Sequence, residues 1–486
     1  MVTQVKLRAK KNTKLPKGFE LSGVKANIKY KNRLDLALIC SHEPCKSAGV
    51  WTKNSVQAAC ITHNKAKIQN DIHAVMINSG CANACTGKQG EENCQISAEA
   101  LAEVLHIDPK HVLLASTGVI GVQLPMSRIL KAIPKLVTQK NNSKDSVKLA
   151  SRAIMTTDTF PKTFGITCQL EGSSGLDSND LNTAHSEDKI AGKTEANSSK
   201  KVQDSKVDAQ YAKEAKSCET NVNNMQVQLD CQSQQAYNKK AKAGKRCSHK
   251  FRIFGMAKGS GMIHPNMATM LGFILTDIAI SKELLQEALS EINAQTFNQI
   301  SVDGDTSTND MVVVLANGAA KNEMISSKNA DYEIFKKALR KVCVNLAKKI
   351  ARDGEGATHL LEVSIKNAQS LEQAQTLSKA IIGSNLVKTA IFGKDANWGR
   401  IICAMGYSNA DFDANKFNLA FASKKGKITI VKDGVGTTFS EDKAKSILSA
   451  DTIKILIDLQ DGTYSAKAWG CDLSYDYIKI NADYRS

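Results

Sequence analysis

From about Gly172 to His249 the chain turns to Ser, Lys, Asn, Gln and Asp with few large apolar side chains, and this stretch limits what the rest can fold into. Such a segment cannot bury enough apolar surface to offset its ordering entropy. A core must therefore come from the residues on either side. Just before it, Phe164, Ile166, Cys168 and Leu170 alternate with polar residues, as on a half-buried strand; just after it, Phe251, Ile253 and Phe254 resume an apolar run. The reading is a disordered insertion of roughly eighty residues in a hairpin loop. Lengthening a loop from ~10 to ~80 residues costs only about 2 kcal/mol of closure entropy. A regulatory or binding segment is the alternative.

The first third alternates apolar runs, turn-rich stretches and amphipathic stretches. Ala74 to Ile77 runs into Asn78-Ser79-Gly80, read as a turn, and Ile96, Leu101, Val104 and Leu105 follow at helical spacing. His111 to Ala115 ends in Ser116-Thr117-Gly118, and Gly255 to Ser260 is again read as a Gly-rich turn. Met270 to Leu275 is a buried strand. Phe335, Leu339, Val342, Leu346 and Ile350 mark a long helix stopped at Asp353-Gly354-Glu355-Gly356, and Gly393 to Arg400 is one more loop-to-helix element. This rhythm indicates an α/β protein.

Composition narrows the function. The 42% hydrophobic fraction supports a large core, and no stretch approaches the ~20 apolar residues of a membrane span. Met1 to Glu20 is basic but lacks the apolar centre of a secretory signal; a short organellar presequence is the alternative, disfavoured because the segment is poor in Arg and Ser, and a soluble, cytoplasmic protein is expected. Thirteen cysteines are scattered without a CxxC pair, and Cys81 and Cys85 have no matching second pair. Free thiols in a reducing compartment follow, rather than zinc or a disulfide framework. A net charge of +17 admits nucleic acid or small acidic substrates. The basic residues are dispersed, however, and with aromatics at 5% no stacking stripe forms, so a nucleic-acid-binding protein is the weaker class.

Two loops imitate known sites and fail. Asp303 to Asp310 suggests a calcium loop, but its sixth position is Thr308 and its twelfth Val314, where Gly and Glu are required. A turn held by side-chain to backbone bonds is preferred there. Thr86-Gly87-Lys88-Gln89-Gly90 lacks the glycine spacing and the hydroxyl residue of a phosphate loop.

The stretch Met256 to Leu271 (MAKGSGMIHPNMATML) differs from these. A Gly-rich run leads through a proline-fixed turn to small Ala268, the hydroxyl of Thr269, and a strand. Read structurally, Thr269 is only a β-branched residue opening a strand. Read chemically, the segment suits an intramolecular N-to-O acyl shift at Ala268–Thr269. The freed Thr269 would then carry an α-amine of pKa ~8 beside its hydroxyl, the pairing that activates N-terminal threonine nucleophiles. Acyl transfer also needs oxyanion donors, and Thr117-Gly118 at the end of an apolar run is one of several places able to supply them.

Eight motifs together resemble the ornithine acetyltransferase (glutamate N-acetyltransferase) family of arginine biosynthesis. They are Asn78 to Gly87 (NSGCANACTG), Ala115 to Gly121 (ASTGVIG), Met155 to Thr159 (MTTDT), Met256 to Leu271, Ser301 to Asp310 (SVDGDTSTND), Ala351 to Thr358 (ARDGEGAT), Asn397 to Arg400 (NWGR) and Asn481 to Ser486 (NADYRS). The resemblance covers nearly the whole chain apart from the polar insertion, which stands where the family has a short hairpin.

It implies a sandwich of β-sheets flanked by helices, of the self-cleaving N-terminal-nucleophile type. It also implies cleavage into an α chain (1–268) and a β chain (269–486), assembled as an α2β2 heterotetramer. The implied reaction is ping-pong transfer of acetyl from N2-acetylornithine to glutamate through acetylated Thr269, without metal or organic cofactor. Acetyl-CoA is a further donor in some relatives. By the same resemblance Thr117 and Gly118 form the oxyanion hole, while Lys258, Thr269, Glu355, Asn481, Ser486 and one of Thr156 and Thr157 contact substrate. An N-terminal-nucleophile amidase or aminopeptidase, with water as acceptor, is the nearest alternative.

Overall fold

The computed structural model describes residues 7–12, 14–171, 249–264 and 270–482. The polar segment, apart from His249, lies outside them, as do Ala268, Thr269 and Ser486.

Sixteen strands are named among the described residues. They are β1 (Ala9–Lys11), β2 (Phe19–Val24), β3 (Leu36–Trp51), β4 (Ile72–Cys81), β5 (Val112–Val119), β6 (Lys162–Gln169), β7 (Lys250–Lys258), β8 (Leu271–Thr276), β9 (Ile300–Ser301), β10 (Met311–Ala316), β11 (Leu360–Ala368), β12 (Asn418–Ser423), β13 (Gly426–Lys432), β14 (Val435–Gly436), β15 (Thr452–Asp458) and β16 (Tyr464–Cys471). They form two sheets. The nine-stranded sheet runs β1-β6-β7-β8-β10-β3-β4-β5, with β2 also on β3; the seven-stranded sheet runs β14-β13-β12-β15-β11-β16-β9.

The 16-residue β3 belongs to both halves of the larger sheet. Its outer part pairs with β10 from Lys46 to Trp51, its inner part with β2 and β4, and the register breaks between Cys40 and Cys45. Such a break bends a strand, and side chains alternate between the faces of each sheet. Phe254, Met256, Leu271, Phe273, Met311 and Val313 accordingly share one core cluster with Leu21, Leu38, Val75, Ile77 and Leu113 from the other half. Their opposite-facing neighbours Ile253, Ile274, Val312 and Val314 pack with helix Ala330–Arg352, as do Leu360 and Trp469 of the second sheet. The result is an α/β protein of two sheets flanked by helices.

Helix Ala330–Arg352 buries Phe335, Leu339, Val342, Leu346 and Ile350 on one face, and the Asn329 side chain caps its start by accepting from Tyr332 N–H. The strands flanking the polar segment pair antiparallel, from Gln169 against Lys250 to Lys162 against Ala257.

Local expectations fail in three strands. Asn78-Ser79-Gly80 lies within β4, Thr117-Gly118 within β5, and Gly255 to Lys258 within β7. Glycine there serves close approach rather than turning. A Cβ on Gly118 (φ +135°) would lie 2.3 Å from the Gly80 carbonyl carbon, its register partner in β4. In helix Gly87–Leu105, Leu101 is buried, but Ile96 is 40% exposed and Cys94, Ala98 and Ala102 line the inner face. All ten described cysteines are free thiols, and no described helix is long and apolar enough to cross a membrane.

Candidate active site

Lys258 is the last residue of β7, opposite Leu271 of β8, and is 7% exposed. Its Nζ donates to Thr117 Oγ1 at 3.1 Å, at the end of β5. Burial pushes its ammonium pKa down; Asp158, Asp310 and Glu355 oppose this, while Lys162 reinforces it.

Behind Lys258 stands a buried ion cluster. Lys162 Nζ is 2.5 Å from Asp158 Oδ1 and 2.5 Å from Asp353 Oδ2, and Lys162 is fully buried. Asp158 also accepts from Gly259 N–H (2.8 Å) and Thr156 N–H (3.1 Å). Burial by itself would raise the Asp158 pKa, but the Lys162 and Lys258 cations and the Gly259 N–H outweigh it and hold it at about 2. Asp353 follows the long helix and accepts from Thr159 N–H at 3.0 Å and from its hydroxyl; the Asp353 carbonyl takes the Ser260 hydroxyl at 2.6 Å. One network thus fixes the Thr156-Thr157 loop, the end of β7 and the helix terminus.

Two residues on, Glu355 N–H donates to Ser260 O (3.2 Å), and Glu355 Oε2 accepts from Asn481 Nδ2 at 2.8 Å. A Cβ on Gly261 would lie 2.3 Å from that Oε2, so the carboxylate lies against bare backbone. Opposite, Asp303 accepts from Met262 and Ile263 N–H (2.6 and 2.7 Å), and Asn309 Nδ2 donates to the carbonyls of Ala82 and Ser116 (2.7 and 2.8 Å). Asp303 to Asp310 is therefore the side-chain-bonded turn expected.

These elements enclose a cavity of about 290 Å³ lined by Thr117, Gly118, Val119, Ile120, Thr156, Thr157, Lys258, Gly261, Met262, Ser307, Thr308, Asn309, Glu355 and Asn481. Seven of the candidate residues, Thr117, Gly118, Thr156, Thr157, Lys258, Glu355 and Asn481, meet here although they span positions 117 to 481 of the sequence. Both threonines of the 156–157 pair line the wall. Ala268, Thr269 and Ser486 lie outside the described residues, but Met270, next after Thr269, accepts from Met311 N–H at 3.1 Å.

Sequence reading missed Asp158, Lys162, Asp353 and Asp310, and the wall formed by Ser307, Thr308 and Asn309. All but Lys162 sit in three of the quoted motifs, Met155 to Thr159, Ser301 to Asp310 and Ala351 to Thr358, where these particular residues had been given no catalytic or substrate role. A cation, a carboxylate, an amide and hydroxyls around a space of this size are complementary to a small zwitterion.

A model of the ArgJ family matches residues 20–177 and 202–486. The arginine biosynthesis bifunctional protein ArgJ 1 of Clostridium acetobutylicum is 41% identical over 469 residues, 96% of each chain. Among solved structures, the arginine biosynthesis bifunctional protein ArgJ of Bacillus halodurans is 51% identical, covering 43% of this chain and 97% of that one with a TM-score of 0.42. The ornithine acetyltransferase of Mycobacterium tuberculosis, complexed with ornithine, is 32% identical over 33% of this chain and 88% of that one, TM-score 0.32. With the family model spanning most of its length and 41% identity carried from end to end, this chain belongs to the ArgJ family.

Proposed function

We propose that the protein is an acetyltransferase of arginine biosynthesis that cleaves itself between Ala268 and Thr269 and then moves acetyl from N2-acetylornithine to glutamate. In maturation the Thr269 hydroxyl attacks the Ala268 carbonyl, the acyl group shifts from nitrogen to oxygen, and water hydrolyses the ester. An α chain (1–268) and a β chain (269–486) result, assembled as an α2β2 heterotetramer in the cytoplasm.

In turnover the Thr269 α-amine takes the hydroxyl proton as the oxygen attacks the acetyl carbonyl of N2-acetylornithine. The Thr117 hydroxyl and the Gly118 N–H stabilise the oxyanion. Collapse expels ornithine, whose nitrogen takes the proton back from the α-amine, and leaves acetyl on Thr269. The amine of glutamate then attacks that ester, and the steps reverse. Lys258, Glu355, Asn481, Ser486 and the Thr156-Thr157 pair orient the carboxylate and amine of each amino acid. The enzyme itself carries the acyl group, so the transfer calls for no metal or organic cofactor. Relatives named bifunctional favour acetyl-CoA as a second donor.

The observation that carries this reading is the convergence of Thr117, Gly118, Lys258, Glu355 and Asn481 on one cavity. A denaturing gel with N-terminal sequencing should show two bands, the smaller beginning Thr-Met-Leu-Gly, with Thr269→Ala remaining one inactive chain. Mixing the protein with N2-acetylornithine should release ornithine steadily only when glutamate is present. Steady release without glutamate would mean a hydrolase instead, and an uncut chain with full transferase activity would refute the mechanism.

A further inference from the structure

A second chamber of about 170 Å³ opens beside the first and shares Gly118, Val119, Thr156 and Thr157 with it. A water molecule occupies about 10–15 Å³ on such a measure, so the chamber holds a charged group together with some of its hydration. Its lining includes two cations, Lys29 and Arg33. Both stand over the Tyr30 ring, with Lys29 Nζ 4.7 Å and Arg33 Cζ 5.6 Å from its centroid. Arg33 Nη2 also donates to the carbonyls of Met155 (3.0 Å) and Thr156 (2.5 Å), which fixes the guanidinium against the loop common to both chambers.

Asp35 is the one carboxylate among the described lining residues. Its two oxygens accept from the N–H groups of Ala26 (2.6 Å) and Ile28 (2.5 Å). It is 3% exposed and committed to its own loop. The charged side chains that face this chamber among the described residues are thus Lys29 and Arg33, with Asp35 turned to its own loop.

Ping-pong transfer imposes a problem of recognition. Donor and acceptor must offer their α-nitrogen to the same acyl carbon, yet their side chains end in opposite charges, an ammonium in N2-acetylornithine and a carboxylate in glutamate. The first chamber already contains Glu355 beside Lys258. A side chain leaving it past Gly118 and Thr156 enters the second. We propose that this second chamber is the subsite for the anionic side chain of the acceptor amino acid, with Lys29 and Arg33 binding its carboxylate. The subsite rests on the transferase reading above.

Charge-assisted hydrogen bonds contribute enough to set a discrimination of about 10–100-fold. The wild-type enzyme should therefore use glutamate over its neutral isostere glutamine by at least about 10-fold in kcat/KM, measured as deacylation of the acetyl-enzyme. Lys29→Glu should raise the glutamate KM about 10–100-fold and lower the glutamate-to-glutamine ratio, and Lys29→Arg should restore most of it. A folding or positioning defect would depress both acceptors alike and leave the ratio unchanged. The proposal is overturned if wild-type enzyme uses the two acceptors equally, or if Lys29→Glu leaves both the glutamate KM and the ratio within about threefold of wild type. Wild-type protein that releases no ornithine from N2-acetylornithine plus glutamate would instead refute the transferase reading.

Discussion

Lys258 Nζ donates to Thr117 Oγ1 across 3.1 Å, joining the last residue of β7 to the end of β5 from 141 positions away. The contact holds the buried Lys258 side chain beside the hydroxyl proposed to bind the oxyanion. In a water-poor site such a donor is far more effective than in solvent, because nothing reorganises as charge develops. Thr117→Val keeps the shape and removes the hydroxyl. Its kcat should fall about 10²–10³-fold with KM little changed, measured by ornithine release. A proportional loss in KM alone would place Thr117 in ground-state binding.

Gly261→Ala tests the seat of Glu355. The added Cβ meets the tip of a flexible side chain at 2.3 Å, not rigid backbone. Glu355 should swing away from Asn481 at a stability cost of about 1 kcal/mol or less. Thermal melting should scarcely move, while KM for N2-acetylornithine rises.

The Lys162–Asp158–Asp353 cluster behaves oppositely. Replacing Lys162 by Met strands two buried carboxylates and should cost about 3–5 kcal/mol in urea unfolding.

Acid should act on the same cluster through Asp158. Its folded pKa of about 2 lies below the ordinary carboxylate value. Its charge therefore stabilises the fold above about pH 4, and that contribution is lost as pH falls towards 2. Stability measured from pH 6 down to pH 3 should fall less steeply in Asp158→Asn than in wild type.

Asp310 carries the reverse sign. It is 3% exposed, and its Oδ2 has no hydrogen-bond partner among the described residues. Burial pushes its pKa well above the usual range, against the pull of Lys258. A raised carboxyl pKa means the folded state holds the proton more tightly, so stability is lost as pH rises through the folded pKa. Asp310→Asn should stabilise the protein against urea unfolding more at pH 8 than at pH 5, by on the order of 1 kcal/mol.

Periodicity made the α/β class legible, together with the strand at Ile166 and Cys168 and the helix whose Phe335, Leu339, Val342, Leu346 and Ile350 all face inward. These patterns are local: a run of ten residues already records which face meets the core. Six of the eight motifs likewise contain the residues that line the cavity. What one dimension could not show was the setting of the glycines. Gly80 and Gly118 read as turn formers because a single strand carries no sign of the neighbour pressed against it. Ile96 was assigned inward by spacing, yet which stripe of that helix is buried depends on what packs there.

The site shows the same division. The family resemblance carried by the motifs singled out Lys258, Glu355 and Thr117 from the sequence alone. Only the tertiary structure set Lys258 against Thr117, wedged Lys162 between Asp158 and Asp353, and opened a chamber lined by Lys29 and Arg33 behind Gly118. The physical reason is range. Side-chain periodicity is fixed by neighbours a few positions away, whereas burial, pKa and cavity shape are set by groups more than a hundred positions apart that share only the folded chain.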